Sequence, residues 1–210
     1  MKTPARKLKR SAVKNIVRFP SIKANGGKAI LVESLLESKY CLHLEFDPNV
    51  EAYFPQPNTF NVIVDGDEKT YTPDFKVHYF SGCHKYVEVK PLERSQSEHY
   101  QNLFFCFEAS LEDTDAGFLL INEIEIDQQP LLSNYEKLYQ YRKRPALDMK
   151  KLYQCAEGLS HSMSLSRLIT SLGSRVHLRE IYTWLALGYL KFDMKSEHLT
   201  MMTEVQFDVC

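Results

Sequence analysis

The sequence predicts an α/β protein, a mixed sheet flanked by helices, followed by a small helical domain closed by a hairpin. Three observations point there. Residues 71–91, YTPDFKVHYFSGCHKYVEVKP, set two runs of β-branched and aromatic residues around Ser81-Gly82, the composition of a β-hairpin. Residues 32–46 before it carry apolar side chains at helical spacing. After it, an amphipathic stretch at 100–111 is followed by FLLINEIEI at 118–126, whose apolar first half suits a buried strand.

In chain order, the helix at 32–46 aligns Leu36, Tyr40 and Leu44 on one stripe and is ended by Pro48. Glu37 borders that stripe together with Tyr40, Cys41 and Leu44, and Glu33 is its neighbour one turn earlier. The residues alone leave both acids open as helix-borne site candidates, Glu33 equally serving the helix dipole. Short strands follow at 50–54, 60–64 and 69–71, with a turn at Gly66 and a Gln56-Pro57 step that reads as a loop entry.

The hairpin carries the chemistry. Its period of two sends Glu88 and Lys90 to one face and Val87 and Val89 to the core. A turn centred on Gly82 sets Asp74 across from Lys90 on the same face, whereas a one-residue slip turns Asp74 away. Two carboxylates hold a hard divalent cation through oxygen, and a lysine beside them orients the attacking water or offsets charge in the transition state. Pro73 and Pro91 fix the chain at both ends of the group. Beyond it, a helix at 131–141 ends in Arg142-Lys143-Arg144-Pro145, a basic cluster that reads either as a phosphate contact or as a cap of the helix C-terminus.

The composition sets the surroundings. In 210 residues, 44% are hydrophobic and 25% charged, ordinary for a globular chain long enough for one large or two small domains. No run of about 18 apolar residues and no signal peptide is visible, so neither a membrane span nor export is expected. Five dispersed cysteines without CxxC pairs suit a reducing cytoplasm and argue against structural zinc. Charge is uneven: residues 1–28 hold nine Lys/Arg and no acid, 29–149 hold ten bases and 21 acids, and 150–210 hold seven and six. A basic arm on an acidic body reads as a nucleic-acid contact, with Arg6, Lys7, Lys9, Arg10, Lys14 and Arg18 as candidates. Val13, Ile16, Val17 and Phe19, interleaved among them, would let part of the arm turn helical on phosphate.

From 146 onward the patterns SLSRLITSLGS and HLREIYTWLALGYLKFDM, a stop at Gly188 and an alternating LTMMTEVQFDV suggest a winged-helix-like domain. Its second helix offers only His177 and Arg179 near the start, then Ile181, Tyr182, Trp184 and Leu185. Base readout needs exposed Arg, Lys, Asn or Gln, so this domain reads as a docking module with Trp184 in its core.

In the order Glu37, Gln56-Pro57, Tyr71-Thr72-Pro73-Asp74-Phe75, then Val87-Glu88-Val89-Lys90-Pro91, the chain resembles the TnsA endonuclease subunit of heteromeric bacterial transposases, one of the PD-(D/E)xK nucleases. The likeness covers residues 30–145 well and 150–210 more loosely. It implies a restriction-endonuclease-like core and three parts: a basic arm at 1–28, an endonuclease domain at 29–145 and a winged-helix-like docking domain at 146–210. Carried over by position, Asp74 and Glu88 are metal-binding carboxylates, Lys90 is the catalytic lysine, Glu37 is the helix-borne acid and a further metal ligand, and Gln56 supports a ligand or water. The position of Glu88 is Gln in some members, so this copy follows the wider nuclease pattern. The resemblance implies Mg²⁺, with Mn²⁺ as substitute, and a bacterial, cytoplasmic protein that cuts one strand, at the 5′ ends, of double-stranded DNA at transposon ends. It implies two partners, a TnsB-like DDE transposase subunit and a TnsC-like AAA+ regulator. The alternatives are a stand-alone nuclease of restriction or repair type, and a non-catalytic DNA-binding adaptor with the same fold.

Overall fold

A computed structural model of the chain describes residues 16–24, 26–159 and 161–209. It is an α/β structure in two compact units, the first reaching Asp127 and the second beginning at Gln128.

The first unit opens with β1 (Val17–Phe19), which pairs antiparallel with β2 (Ile30–Val32) in the register Val17 with Val32. This end of the basic arm is therefore strand. Helix α1 (Leu35–Phe46) starts later than the apolar spacing suggested, because Ser34 caps it. The Ser34 hydroxyl accepts the Glu37 N–H at 3.0 Å and donates to the Glu37 carboxylate, which also takes the Glu33 N–H at 2.9 Å. These local bonds hold residues 33 and 34 out of the helix, and Val32 pairs in β2 instead.

Next come β3 (Val50–Pro55), the hairpin of β4 (Phe60–Val64) and β5 (Asp67–Tyr71), and the hairpin of β6 (Phe75–Tyr79) and β7 (His84–Val89). Asp65 and Gly66 join β4 to β5 with φ of 55° and 86°, the two positive values that a two-residue hairpin loop of matching twist requires. Gly82, at φ 86°, closes a loop of Phe80, Ser81 and Gly82 between β6 and β7. A short α2 (Leu92–Ser95), then α3 (Glu98–Ala109), β8 (Ala116–Ile121) and α4 (Glu123–Ile126) complete the unit. The strand read in the apolar first half of 118–126 ends at Ile121: the Asn122 side chain accepts the Ile124 N–H and Glu125 accepts the Asn122 N–H, turning the chain into α4.

The sheet order is β3-β6-β7-β8, antiparallel except for the parallel β7–β8 pair. Helices flank it, and β4–β5 is a separate two-stranded insertion between β3 and β6. Tyr40 of α1 packs on Phe75, which pairs with Val87, so α1 covers that face. Tyr86 faces the other way, into a cluster of Val62, Val64, Tyr71, Leu103, Phe104 and Phe107 drawn from the β4–β5 hairpin and α3. Phe107 is the hub: its ring meets Phe60, Tyr71, Tyr86 and Phe118 with centroids 4.7–5.9 Å apart.

In the second unit, α5 (Leu131–Lys143) is followed by α6 (Met149–Glu157), β9 (Met163–Ser164), α7 (Leu165–Leu172), a 3₁₀ turn at Gly173–Arg175, α8 (Leu178–Leu187), β10 (Leu190–Lys191) and β11 (Glu204–Phe207). The small antiparallel sheet runs β10-β11-β9. Helix α5, which the sequence reading grouped with the core, belongs here: Arg142 donates to the Ala186 carbonyl at 2.8 Å, and Tyr141 stacks on Tyr182. The basic cluster thus ties α5 to the end of α8 as well as ending α5. Buried Asn134 holds the loop before β11 by donating to the Met194 and Glu197 carbonyls and accepting the Leu199 N–H. Trp184 is core, 1% exposed.

Removing the hub should cost most. Phe107→Ala is expected to destabilise the protein by about 3–5 kcal/mol, read as the shift in a denaturant midpoint at unchanged slope, because a fully buried ring leaves a cavity that four aromatic neighbours cannot fill. A loss below about 1 kcal/mol would mean that this cluster does not hold the hairpin on the sheet.

Candidate active site

The register of β6 and β7 decides which side chains meet. Phe75 pairs with Val87 and His78 with His84, so continuing the ladder places Asp74 opposite Glu88. The anticipated partner was Lys90. The shift is two residues, because the loop is centred on Ser81 and not on Gly82, and a two-residue shift preserves the face. Asp74, Glu88 and Lys90 consequently share one side, as expected. The backbone bond from Lys90 N–H to the Ile121 carbonyl, 2.9 Å, extends the β7–β8 ladder to Lys90 itself.

Each carboxylate is held by neutral or short-range donors. The Val89 N–H donates to Asp74 Oδ2 at 2.9 Å, while Oδ1 meets no partner among the described residues. Glu88 is 4% exposed, and both its oxygens are engaged: Oε1 by the Lys90 ammonium and Oε2 by the Tyr71 hydroxyl at 2.8 Å. Lys90 Nζ also lies 4.0 Å from the centroid of the Tyr100 ring. Glu37, likewise 4% exposed, spends its carboxylate on the Ser34 hydroxyl and the Glu33 N–H at the start of α1, yet it lies near enough to Asp74 and Glu88 for their charges to act on one another. Glu33 lines the same cavity as Asp74 and Glu88, so the structure brings both helix-end acids to the site. That cavity, about 380 Å³, is lined by Glu33, Asp74, Glu88 and Lys90, by Thr59, Thr70 and Thr72, and by Tyr71, Tyr100 and Leu103.

The electrostatics follow from this crowding. Burial, then the charges of Glu88 and Glu37, push the Asp74 carboxyl well above its usual range. Burial likewise raises Glu37, outweighing its hydrogen bonds. Burial works against the Lys90 ammonium, but the adjacent Glu88 outweighs it and holds Lys90 above the ordinary lysine value. Lys90 is therefore a cation at neutral pH and suited to offsetting charge, not to removing a proton.

The set is rich in oxygen donors of the kind that hard divalent cations prefer, with three acids facing one committed lysine. Asp74 Oδ1 has no partner among the described residues, and Glu88 would have to share an oxygen with Lys90 or Tyr71. Among the described residues, no three His, Cys, Asp or Glu side chains stand in a metal-holding arrangement. The donor chemistry fits a Mg²⁺-type ion, and binding it would require these side chains to regroup.

Gln56 stands beside the site. Its N–H donates to the Asp74 carbonyl at 2.8 Å, its φ is 40°, and its side-chain oxygen and nitrogen are buried without partners among the described residues. It does not line the cavity. Of the arm candidates, Arg18 is exposed on β1, and Arg6, Lys7, Lys9, Arg10 and Lys14 lie outside the described residues. Sequence reading missed Tyr71 and the three threonines as parts of the site. Tyr71 read only as the strand end before Asp74, and nothing in the periodicity marks a hydroxyl aimed at Glu88.

The raised Asp74 pKa makes a stability prediction. A folded-state value above the unfolded one means that the folded chain keeps a proton the unfolded chain releases, so stability is lost as pH rises from about 4. Asp74→Asn removes that penalty. In the presence of a chelator, its melting temperature should gain on the unsubstituted protein as pH rises from about 4 to 7; a gap that stays constant or narrows would contradict the crowding.

Compared with known proteins, the chain matches no family model and no curated protein at a significant level.

Proposed function

We propose that the protein is a divalent-metal-dependent DNA endonuclease, the strand-cleaving subunit of a heteromeric transposase of the TnsA type. The observation that carries this reading is the meeting of Asp74, Glu88 and Lys90 on one face at the ends of β6 and β7, in an open cavity whose acids lack enough positive charge. A bound Mg²⁺ or Mn²⁺ would supply Lewis acidity at the scissile phosphate and lower the pKa of a water. Asp74, Glu88 and the helix-end acids Glu37 or Glu33 would hold it. Lys90, kept cationic by Glu88 and backed by the Tyr100 ring, would offset charge at phosphorus and orient the attacking water. Tyr71 fixes the Glu88 carboxylate in the position from which it serves both neighbours.

The second unit supports the docking part of the reading. Its order of helix, strand, two helices and a terminal hairpin suits a winged-helix domain. Helix α8 is unlike a groove reader: Ile181, Thr183, Trp184, Leu185 and Ala186 are buried, Tyr182 stacks on α5, and Arg179 donates to the Arg144 carbonyl. With little left for base readout, transposon-end specificity would come from a DDE transposase subunit and an AAA+ regulator. No helix among the described residues is long and apolar enough to cross a membrane. One observation favours the adaptor reading as the second choice: both Glu88 oxygens are already satisfied within the protein.

Asp74→Asn is the cleaner test of chemistry than Lys90→Ala, which strips a buried carboxylate of its counter-charge and so threatens the fold. With Mg²⁺, Asp74→Asn should slow nicking of duplex DNA by on the order of 10²–10³ while remaining folded. Equal cutting by the variant would remove Asp74 from the mechanism. The isolated chain should cut poorly and without regard to transposon ends, and a transposase subunit should confer end specificity; efficient, end-specific cutting by the lone chain would favour the stand-alone nuclease.

The arm is testable at a defined boundary. Because β1 and residues 20–24 belong to the folded unit, the cut should fall after residue 15, removing six Lys/Arg. That truncation should weaken DNA binding evenly across sequences and reduce the slope of log affinity against log salt by as much as about five. An unchanged slope would show that DNA is held elsewhere.

A further inference from the structure

The cavity around Asp74 poses a problem for any phosphodiester. Among the described residues that line it, Lys90 is the one cation, and it is committed to Glu88. Glu33, Asp74 and Glu88 supply the opposite charge on the same walls. Backbone phosphates flanking the cut therefore need donors that are neutral, because further cations there would pair with the acids.

Three threonines occupy that position. Thr59 lies just before β4, Thr70 near the end of β5 and Thr72 just after it, so the foot of the inserted β4–β5 hairpin forms one rim of the cavity. The Thr59 and Thr72 hydroxyls are 2.8 Å apart. In such a pair one hydroxyl donates to the other, and the acceptor keeps its own proton for a third group. The Thr70 hydroxyl has no partner among the described residues and is exposed. The rim therefore presents two uncommitted O–H donors beside the carboxylates. Threonine hydroxyls are among the ordinary phosphate contacts of DNA-binding proteins, and they position the backbone without reading sequence.

We propose that Thr59, Thr70 and Thr72 form a neutral phosphate-holding edge that positions the strand to be cut against Asp74, Glu88 and Lys90. The inference rests on the nuclease reading above and assigns the β4–β5 hairpin to substrate alignment. The threonines are positioning residues and take no part in the chemistry. The edge needs hydroxyls, so serine should replace threonine there and valine, which has the same shape, should not.

The test is single-turnover cleavage of a labelled DNA duplex by the full chain with Mn²⁺, varying protein concentration to separate half-saturation from the limiting rate. Thr59→Val, Thr70→Val and Thr72→Val together should raise the half-saturating concentration about tenfold, as the loss of two or three hydrogen bonds implies, with the limiting rate within about twofold. The matching triple serine variant should restore it. Thr70→Val alone, on the exposed face of β5, should give part of the effect at unchanged melting temperature if the triple variant folds poorly. Should the unsubstituted chain cut no DNA under any metal, alone or with a transposase subunit, the nuclease reading fails. Should it cut while the valine variants match it, or the serine variant fail to rescue, the hydroxyl edge alone is refuted.

Discussion

Three carboxylates crowded at the ends of two paired strands, with one ammonium among them, are the constraint on which the rest of the first unit depends. Asp74 and Glu88 are brought together by the β6–β7 register, and Glu37 is drawn in by the cap of α1. Burial raises the cost of each negative charge and of their mutual repulsion. The fold answers with small, local donors: the Val89 N–H on Asp74, the Tyr71 hydroxyl and Lys90 on Glu88, and the Ser34 hydroxyl and Glu33 N–H on Glu37. None of these neutralises the group as a whole, as the raised Asp74 and Glu37 pKa values show. A site left short of positive charge is unfavourable for an empty fold and favourable for a cation, the trade by which active sites hold strain that the core must outweigh.

The aromatic cluster supplies that compensation. Phe107 lies where α3, the β4–β5 hairpin and the sheet converge, and Tyr71 belongs to both worlds: its ring packs on Phe107 and its hydroxyl reaches Glu88. Packing energy is thereby coupled to the position of the Glu88 carboxylate. The inserted hairpin is thus more than a decoration of the sheet edge, because its inner face builds the core and its foot borders the cavity.

Much of this was legible in the sequence where periodicity and turn chemistry speak together. The runs at 60–64 and 75–79 are strands at those bounds, and Gly188 ends α8. The face shared by Asp74, Glu88 and Lys90 could be read from a period of two, although the partner of Asp74 could not, since the position of the loop sets register and Ser81-Gly82 fits either centre. What stayed hidden depended on side chains bonding to backbone. The Ser34 cap, bonded to Glu37, stops α1 short of an apolar pattern that runs back to Val32, and Asn122 with Glu125 forms the capping box that starts α4. Likewise β1 and β2, of three residues each, are too short to show a period, and the tie between Arg142 and Ala186 joins residues far apart in the chain.

The arm shows how a polyanion could be brought to an acidic unit. Residues 29–149 carry more than twice as many acids as bases, so they repel a polyanion, and in the proposed nuclease long-range attraction to DNA would arise outside them. The basic residues at 1–15 lead into β1, and the chain after β1 is fastened from within. Buried Glu45 receives the Ser21 hydroxyl, the Ile22 N–H at 3.1 Å and the Tyr53 hydroxyl at 2.8 Å, while Lys23 donates to the Leu44 carbonyl at 2.9 Å and to the Asp47 carbonyl. The origin of the arm is thus fixed to α1, which carries Glu37, and to β3, which leads into Gln56. Cations tethered at a fixed point raise the local concentration of the phosphates they hold near that point, and do so without contributing a positive group to the cavity itself. In the proposed nuclease, attraction and alignment would then be separate tasks: charge on the arm would gather DNA, and neutral hydroxyls at the rim would set its path past the carboxylates.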